Sequence, residues 1–152
     1  MRIVVGSDHA GYALKTHLID ALRERGHEIT DVGSYNPEPV DFPDIGIAVC
    51  SEILEGRCER GIIFCGSGVG AAIACNKVPG IRASVCHDVY SAHQCVEHDD
   101  VQVMALGAQI VGYIVALELI DLFLNARFST DEDIRRRVAK LEQIDGSAKN
   151  NA

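Results

Sequence analysis

Positive charge is scarce in this chain: 14 Lys and Arg stand against 22 Asp and Glu, a formal net charge of −8 over 152 residues. That balance argues against nucleic acid or an anionic membrane as partner, since both need a basic face. It leaves room for a local cationic patch that binds a small anion. Long hydrophobic runs are missing too. The apolar stretch from Ile110 to Ala116 is broken by Gly112, far short of the roughly 20 residues a membrane span requires. The N-terminus meets Asp8 and His9 at once, too soon for a secretory apolar segment, so a cytoplasmic home is expected. The six cysteines, at 50, 58, 65, 75, 86 and 95, form no C-x-x-C pair. Their even spread predicts reduced, buried thiols, with no disulfide framework and no metal site.

Apolar residues themselves are plentiful, at 47% of the chain, enough for a packed core and too many for a disordered protein. The length fits one domain of roughly 100–200 residues. That domain is expected over residues 1–145, with a polar, frayed tail at 146–152. Short β-branched runs alternate with longer helical ones. Strands are predicted at Arg2–Gly6, Glu28–Val32, Gly61–Cys65, Ile81–Cys86 and Val101–Leu106. Helices are predicted at Gly11–Arg25, Asp44–Glu55, from the glycine turn through Lys77, at Val89–Val96, at Val111–Leu124 and at Asp131–Ile144. Three of the four prolines fall within Gly33–Pro43, which reads as a loop. The alternation predicts an α/β three-layer open sandwich: a five-stranded, Rossmann-like parallel sheet with helices on both faces and a C-terminal helix.

Ligands of such sheets bind beyond the carboxyl ends of the strands, and the reactive residues gather there. Asp8 and His9 follow the first strand, Cys65-Gly66-Ser67-Gly68-Val69-Gly70 the third, and His87-Asp88 the fourth. Alternate glycines free backbone N–H groups to converge, and with the next helix N-terminus they form an anion site that favours the Cys65 thiolate. A thiolate beside an oxyanion site suits nucleophilic attack or proton abstraction next to a carbonyl. The bland alternative is a tight turn behind a buried cysteine. The run Gly66 to Ala71 also fits G-x-G-x-x-A, with Asp88 downstream as a dinucleotide enzyme would have it. That fingerprint belongs after the first strand, however, where Asp8 and His9 stand. Asp8 could serve only as a helix cap and His9 be solvated, or the two could bind a polyol. His98, among Glu97, Asp99 and Asp100, is either a surface residue in an acidic turn or an available imidazolium. It precedes the fifth strand and so is expected to reach a site by another route, such as a neighbouring subunit. Arg135 to Arg137 read as a solvated face or, less commonly, an anion clamp.

Taken together, Gly6-Ser7-Asp8-His9-Ala10-Gly11-Tyr12, Val40-Asp41-Phe42-Pro43, Ile63 to Gly70, Ala74 to Ala83 and Glu97-His98 resemble the ribose-5-phosphate isomerase B family. That family includes the galactose-6-phosphate isomerase subunits. The resemblance implies aldose–ketose isomerisation of a small sugar phosphate through a cis-enediolate, with no metal or organic cofactor. By the same resemblance Cys65 is the base and His98 opens the sugar ring. Ser67 and the N–H groups of Gly66, Gly68, Val69 and Gly70 hold the enediolate, and Asp8 and His9 bind hydroxyls or phosphate. It also implies a homodimer with shared sites, or a tetramer. The chain departs from the family pattern at the substrate rim. Asp99 replaces Asn, Gln109 replaces Arg, Asp133-Ile134 replaces Arg-His and Phe42 replaces Tyr, while Arg137 is kept. Asp99, Gln109, Asp133, Arg136 and Arg137 are therefore the candidates for the anion end. Three alternatives remain open on sequence: an isomerase of an unphosphorylated sugar, a non-catalytic sugar-binding partner subunit, and a thiol hydrolase.

Overall fold

The computed structural model describes residues Met1 to Ser147. Ile3, Val4 and Val5 are fully buried in β1 (Arg2–Ser7), and successive side chains serve opposite faces of the sheet. Ile3 and Val5 join one core, Val4 the other. β3 (Arg60–Cys65) repeats the pattern: Ile62 and Phe64 face the first core, Ile63 and Cys65 the second. With β2 (Glu28–Asp31), β4 (Ala83–Val85) and β5 (Val103–Gly107) they make one parallel five-stranded sheet in the order β2-β1-β3-β5-β4. The predicted fold class holds.

The first core is covered by α1 (Tyr12–Glu24), α4 (Val89–Asp99) and α5 (Tyr113–Asn125), the second by α2 (Phe42–Leu54) and α3 (Val69–Asn76). α6 (Glu132–Asp145) adds the predicted C-terminal helix, with Val138 buried. All six cysteines are buried and free, Cys86 and Cys95 with sulfurs 3.7 Å apart.

Some boundaries shift for local reasons. α2 starts at Phe42, inside the predicted loop, because Pro43 fits a first helical turn where its missing N–H is not needed. α4 runs three residues past Val96 and stops at Asp100, whose φ of +48° no helix continues. β4 pairs only through Ala83–Val85 at the sheet edge. Of the tail expected to fray, Gly146 closes α6 at φ +75° and the Ser147 N–H donates to Asp145 at 2.8 Å; residues 148–152 lie outside the described residues.

The strand order puts the topological switch between β1 and β3, since the chain leaves β1 toward β2 on one side and resumes at β3 on the other. A crevice at the carboxyl ends of those two strands is where this architecture receives ligands.

Candidate active site

β1 and β3 both end at that crevice, and the residues that follow them meet there. The Asp8 N–H donates to the Phe64 carbonyl at 3.1 Å, and the buried Asp8 carboxylate accepts from the Gly11 N–H at 3.0 Å. Asp8 thus does not cap α1, whose N-cap is Gly11, but holds the turn that leads into it, and it stands one strand from Cys65. Gly11 is obligatory: a Cβ there would lie 2.4 Å from the Phe64 carbonyl oxygen. His9 is exposed and accepts the Val40 N–H on Nδ1 at 3.3 Å. A neutral ring so held carries its proton on Nε2, free to donate.

Cys65 ends β3 with 5% of its surface exposed. Its Sγ accepts the Gly68 N–H at 3.0 Å. Gly68 caps α3 at φ +81°, a left-handed conformation that turns its N–H back onto the sulfur. The exposed Ser67 hydroxyl oxygen accepts the Val69 N–H at 3.3 Å. Two of the amides expected to hold substrate oxygen are therefore already committed inside the loop. The Phe42 ring packs on Gly70, where a Cβ would come within 2.9 Å of it. The Gln109 carboxamide lies over Gly66, and the Gln109 N–H donates to the Gly66 carbonyl at 3.0 Å. Asp8, His9, the run Cys65 to Gly70, and Gln109 thus form one cluster.

The other predicted residues are elsewhere. His98 and Asp99 lie in the last turn of α4, which runs back toward the amino ends of the strands. Arg82, just before β4, donates to the Asp99 carbonyl at 2.9 Å, whereas Cys65 is level with Gly107 at the far end of β5. Each β5 residue adds about 3.3 Å between those levels. Within one chain His98 does not meet Cys65.

The setting of His98 also differs from the expected one. Helical spacing sends Glu97 to His93 at 3.0 Å and Asp100 is paired with Arg82 at 3.0 Å, so neither holds His98, whose Nδ1 meets Gln94 Nε2 at 2.9 Å. The segment before α6 returns to this place, with the Ser129 N–H on the Glu97 carbonyl at 3.0 Å. α6 therefore starts beside the end of α4 and carries Asp133, Arg136 and Arg137 on exposed positions. Asp133 accepts from Arg136 at 2.9 Å, and Arg135 stacks on Phe128. Arg137 has no ion-pair partner among the described residues. His98 and Asp99 on α4, and Asp133, Arg136 and Arg137 on the adjoining α6, are grouped as a second cluster by these neighbouring helices, with no hydrogen bond or ion pair between the two sets among the described residues.

Lys15 escaped the sequence reading, and His87 was noted there only for its place after the fourth strand. Lys15 is 1% exposed and donates to Asp31 at 2.7 Å and to the Ser34 carbonyl at 2.6 Å. The Ser34 N–H in turn reaches the Ser7 carbonyl at 2.6 Å, so this buried cation staples the start of the loop that carries Val40 onto β1. His87 Nε2 accepts the Gly107 N–H at 2.8 Å. Among the described residues no three His, Cys, Asp or Glu side chains gather as a metal site would, and no helix is long and apolar enough to cross a membrane.

Known proteins share both sequence and architecture. A family model described as Ribose/Galactose Isomerase matches residues 3–141. Ribose-5-P isomerase B of Listeria innocua is 40% identical over 145 residues, covering 95% of this chain and 97% of its own. The D-erythrulose-4-phosphate isomerase of Pectobacterium atrosepticum is 41% identical over 130 residues, 84% of this chain and 85% of its own. The solved structure of Clostridium thermocellum ribose-5-phosphate isomerase B superposes with a TM-score of 0.93 at 44% identity, over 96% of this chain and 98% of that one. With a matching sheet and a match running nearly end to end, the chain belongs to the ribose/galactose isomerase family.

Proposed function

We propose that the chain is an aldose–ketose isomerase of a small sugar phosphate, with Cys65 as the base that moves a proton between C1 and C2. The observation that carries this reading is the Gly68 N–H on Cys65 Sγ at the switch-point crevice, 3.0 Å away. A sulfur held by a backbone donor at a helix start, beside a loop of glycine amides, is placed to take a proton from a carbon next to a carbonyl. The base takes the proton from C2 of the aldose as electrons shift to the C1 oxygen; the O2 proton passes to O1 as the C2 carbonyl forms, and the base, able to exchange its proton with solvent, protonates C1 of the ketose. Ser67 and the amides of Gly66 and Gly70 hold the enediolate oxygen, while Asp8 and His9 bind hydroxyls.

The remaining functions fall to the second cluster, supplied by another copy. A symmetric dimer places His98 and Asp99 of one protomer over Cys65 of its partner, where His98 opens the ring. Ile47 and Ile73, each 55% exposed, and Val69, 52% exposed, border the glycine loop and supply an apolar seam for it. One domain over residues 1–145 and a cytoplasmic location complete the proposal.

Retention of His98 favours a sugar that cyclises, so the default pair is ribose 5-phosphate and ribulose 5-phosphate. Arg137, with no ion-pair partner among the described residues where Arg136 is tied to Asp133, is the anion ligand. Losing a charge-assisted contact at Gln109 weakens phosphate binding by about 1.5–3 kcal/mol. The test is a turnover screen of four-, five- and six-carbon sugars with and without phosphate. A phosphorylated sugar preferred by orders of magnitude in kcat/KM supports the reading. Equal use of free and phosphorylated forms overturns it in favour of a neutral sugar.

A further inference from the structure

Gly107, the last residue of β5, is held between two groups. Its N–H donates to His87 Nε2 at 2.8 Å. On its other side the glycine loop lies so close that a Cβ would come within 2.6 Å of the Ser67 carbonyl carbon. The next two residues carry that loop directly. The Ala108 N–H donates to the Cys65 carbonyl at 2.8 Å and the Gln109 N–H to the Gly66 carbonyl at 3.0 Å. The backbone of the reactive loop thus rests on a turn whose first amide is fixed by one imidazole.

We propose that His87 is a positioning residue of the isomerase, which by accepting from Gly107 sets the height of the Cys65-Gly66-Ser67 loop against the substrate. An N–H can donate only to a ring nitrogen without a proton, so the working ring is neutral with its hydrogen on Nδ1. Protonation would replace an acceptor by a second donor and break the support. Burial holds His87 below the ordinary histidine range, and Asp88 beside it pulls weakly the other way. The turn packed against it, Gly107-Ala108-Gln109, carries no charge, and Cys65 is the titratable group of the loop. The role rests on Cys65 acting as base, since only then does loop height reach the rate.

Two variants and one spectrum test it. His87→Phe keeps the ring shape without an acceptor; His87→Gln offers an acceptor oxygen near the reach of Nε2 and does not titrate. The Phe variant is expected to lose kcat by about 10–100-fold, as sub-ångström misplacement of reacting groups does, with KM nearly unchanged. The Gln variant is expected to recover most of kcat and to fall less steeply than the native enzyme on the acid side. In the ligand-free native protein, the Gly107 amide resonance should follow the His87 titration. A Phe variant with native kcat, a Gln variant as impaired as Phe, or a Gly107 amide indifferent to that titration overturns the role. If the Phe variant does not fold, the Gln pH profile and the spectrum decide. Cys65→Ala assayed alongside separates the failures: retained proton exchange there refutes the base, whereas an active Phe variant refutes only His87.

Discussion

Cys65 stands where a strand end, a left-handed glycine and a helix start coincide, and each is needed for its sulfur to receive a backbone donor. Replacing it by Ala removes the sulfur and leaves the loop backbone bonds in place. Cys65→Ala should therefore fold yet lose C2 proton exchange in deuterated water by about 10²–10⁴-fold, the usual weight of a general base; deuterium incorporation reads it. Neighbouring arginines should separate sharply. Arg137→Ala should raise KM for a phosphorylated sugar by roughly 10–100-fold, as loss of a charge-assisted contact implies. Arg136→Ala, which releases an arginine already paired with Asp133, should change KM far less, and steady-state kinetics on both variants decide. Cys65 was legible because alternate glycines after a β-branched run announce a loop that can hold an anion. Lys15 was not. A lysine on an amphipathic helix reads as solvated, and only the folded loop shows it buried against Asp31 and Ser34. Lys15→Met would leave both acceptors without their cation, at a cost of about 3 kcal/mol, the low end for breaking a buried pair because Asp31 keeps some water. A urea midpoint measures it.

At the scale of elements, short β-branched runs alternating with helical ones predicted the strands and helices, because central strands such as β1 and β3 bury both faces whereas helices such as α1 bury one. What it could not convey was contact between elements. Nothing in the sequence says that the Gly107 amide meets His87, since residues 20 apart become neighbours only through strand order. His27 gives the elements a pH signature. Its Nδ1 is buried with no hydrogen-bond partner among the described residues, and desolvation, then the positive N-terminus, lower its pKa below 6.5 in the fold. The unfolded chain then binds more protons just below that value, so stability is complete above about pH 6.5 and declines as pH falls toward the folded value. His87 acts with the same sign. Urea midpoints at pH 7.5 and 5.5 should differ accordingly, and His27→Gln should narrow the gap; an unchanged gap would assign the acid sensitivity elsewhere.

At the scale of the whole molecule, the sheet, its two covered faces and the closing helix were legible, whereas the separation of the reactive residues into two clusters was legible only in part. The position of His98 before the fifth strand pointed away from Cys65. Its actual place, beside the start of α6, depends on how far α4 runs and on the return of Ser129 to Glu97. In the proposed dimer one cluster supplies Cys65 and the glycine loop, the other His98 and Arg137, and each chain would complete its partner's site. The most direct measurement mixes two inactive proteins, Cys65→Ala and His98→Asn, under conditions of confirmed subunit exchange, and assays a cyclic sugar phosphate. Shared sites make each heterodimer carry one intact site and one doubly altered site. With half of the dimers mixed, activity should recover to about a quarter of native, as two-fold symmetry requires. No recovery would place Cys65 and His98 in unconnected roles and contradict the account.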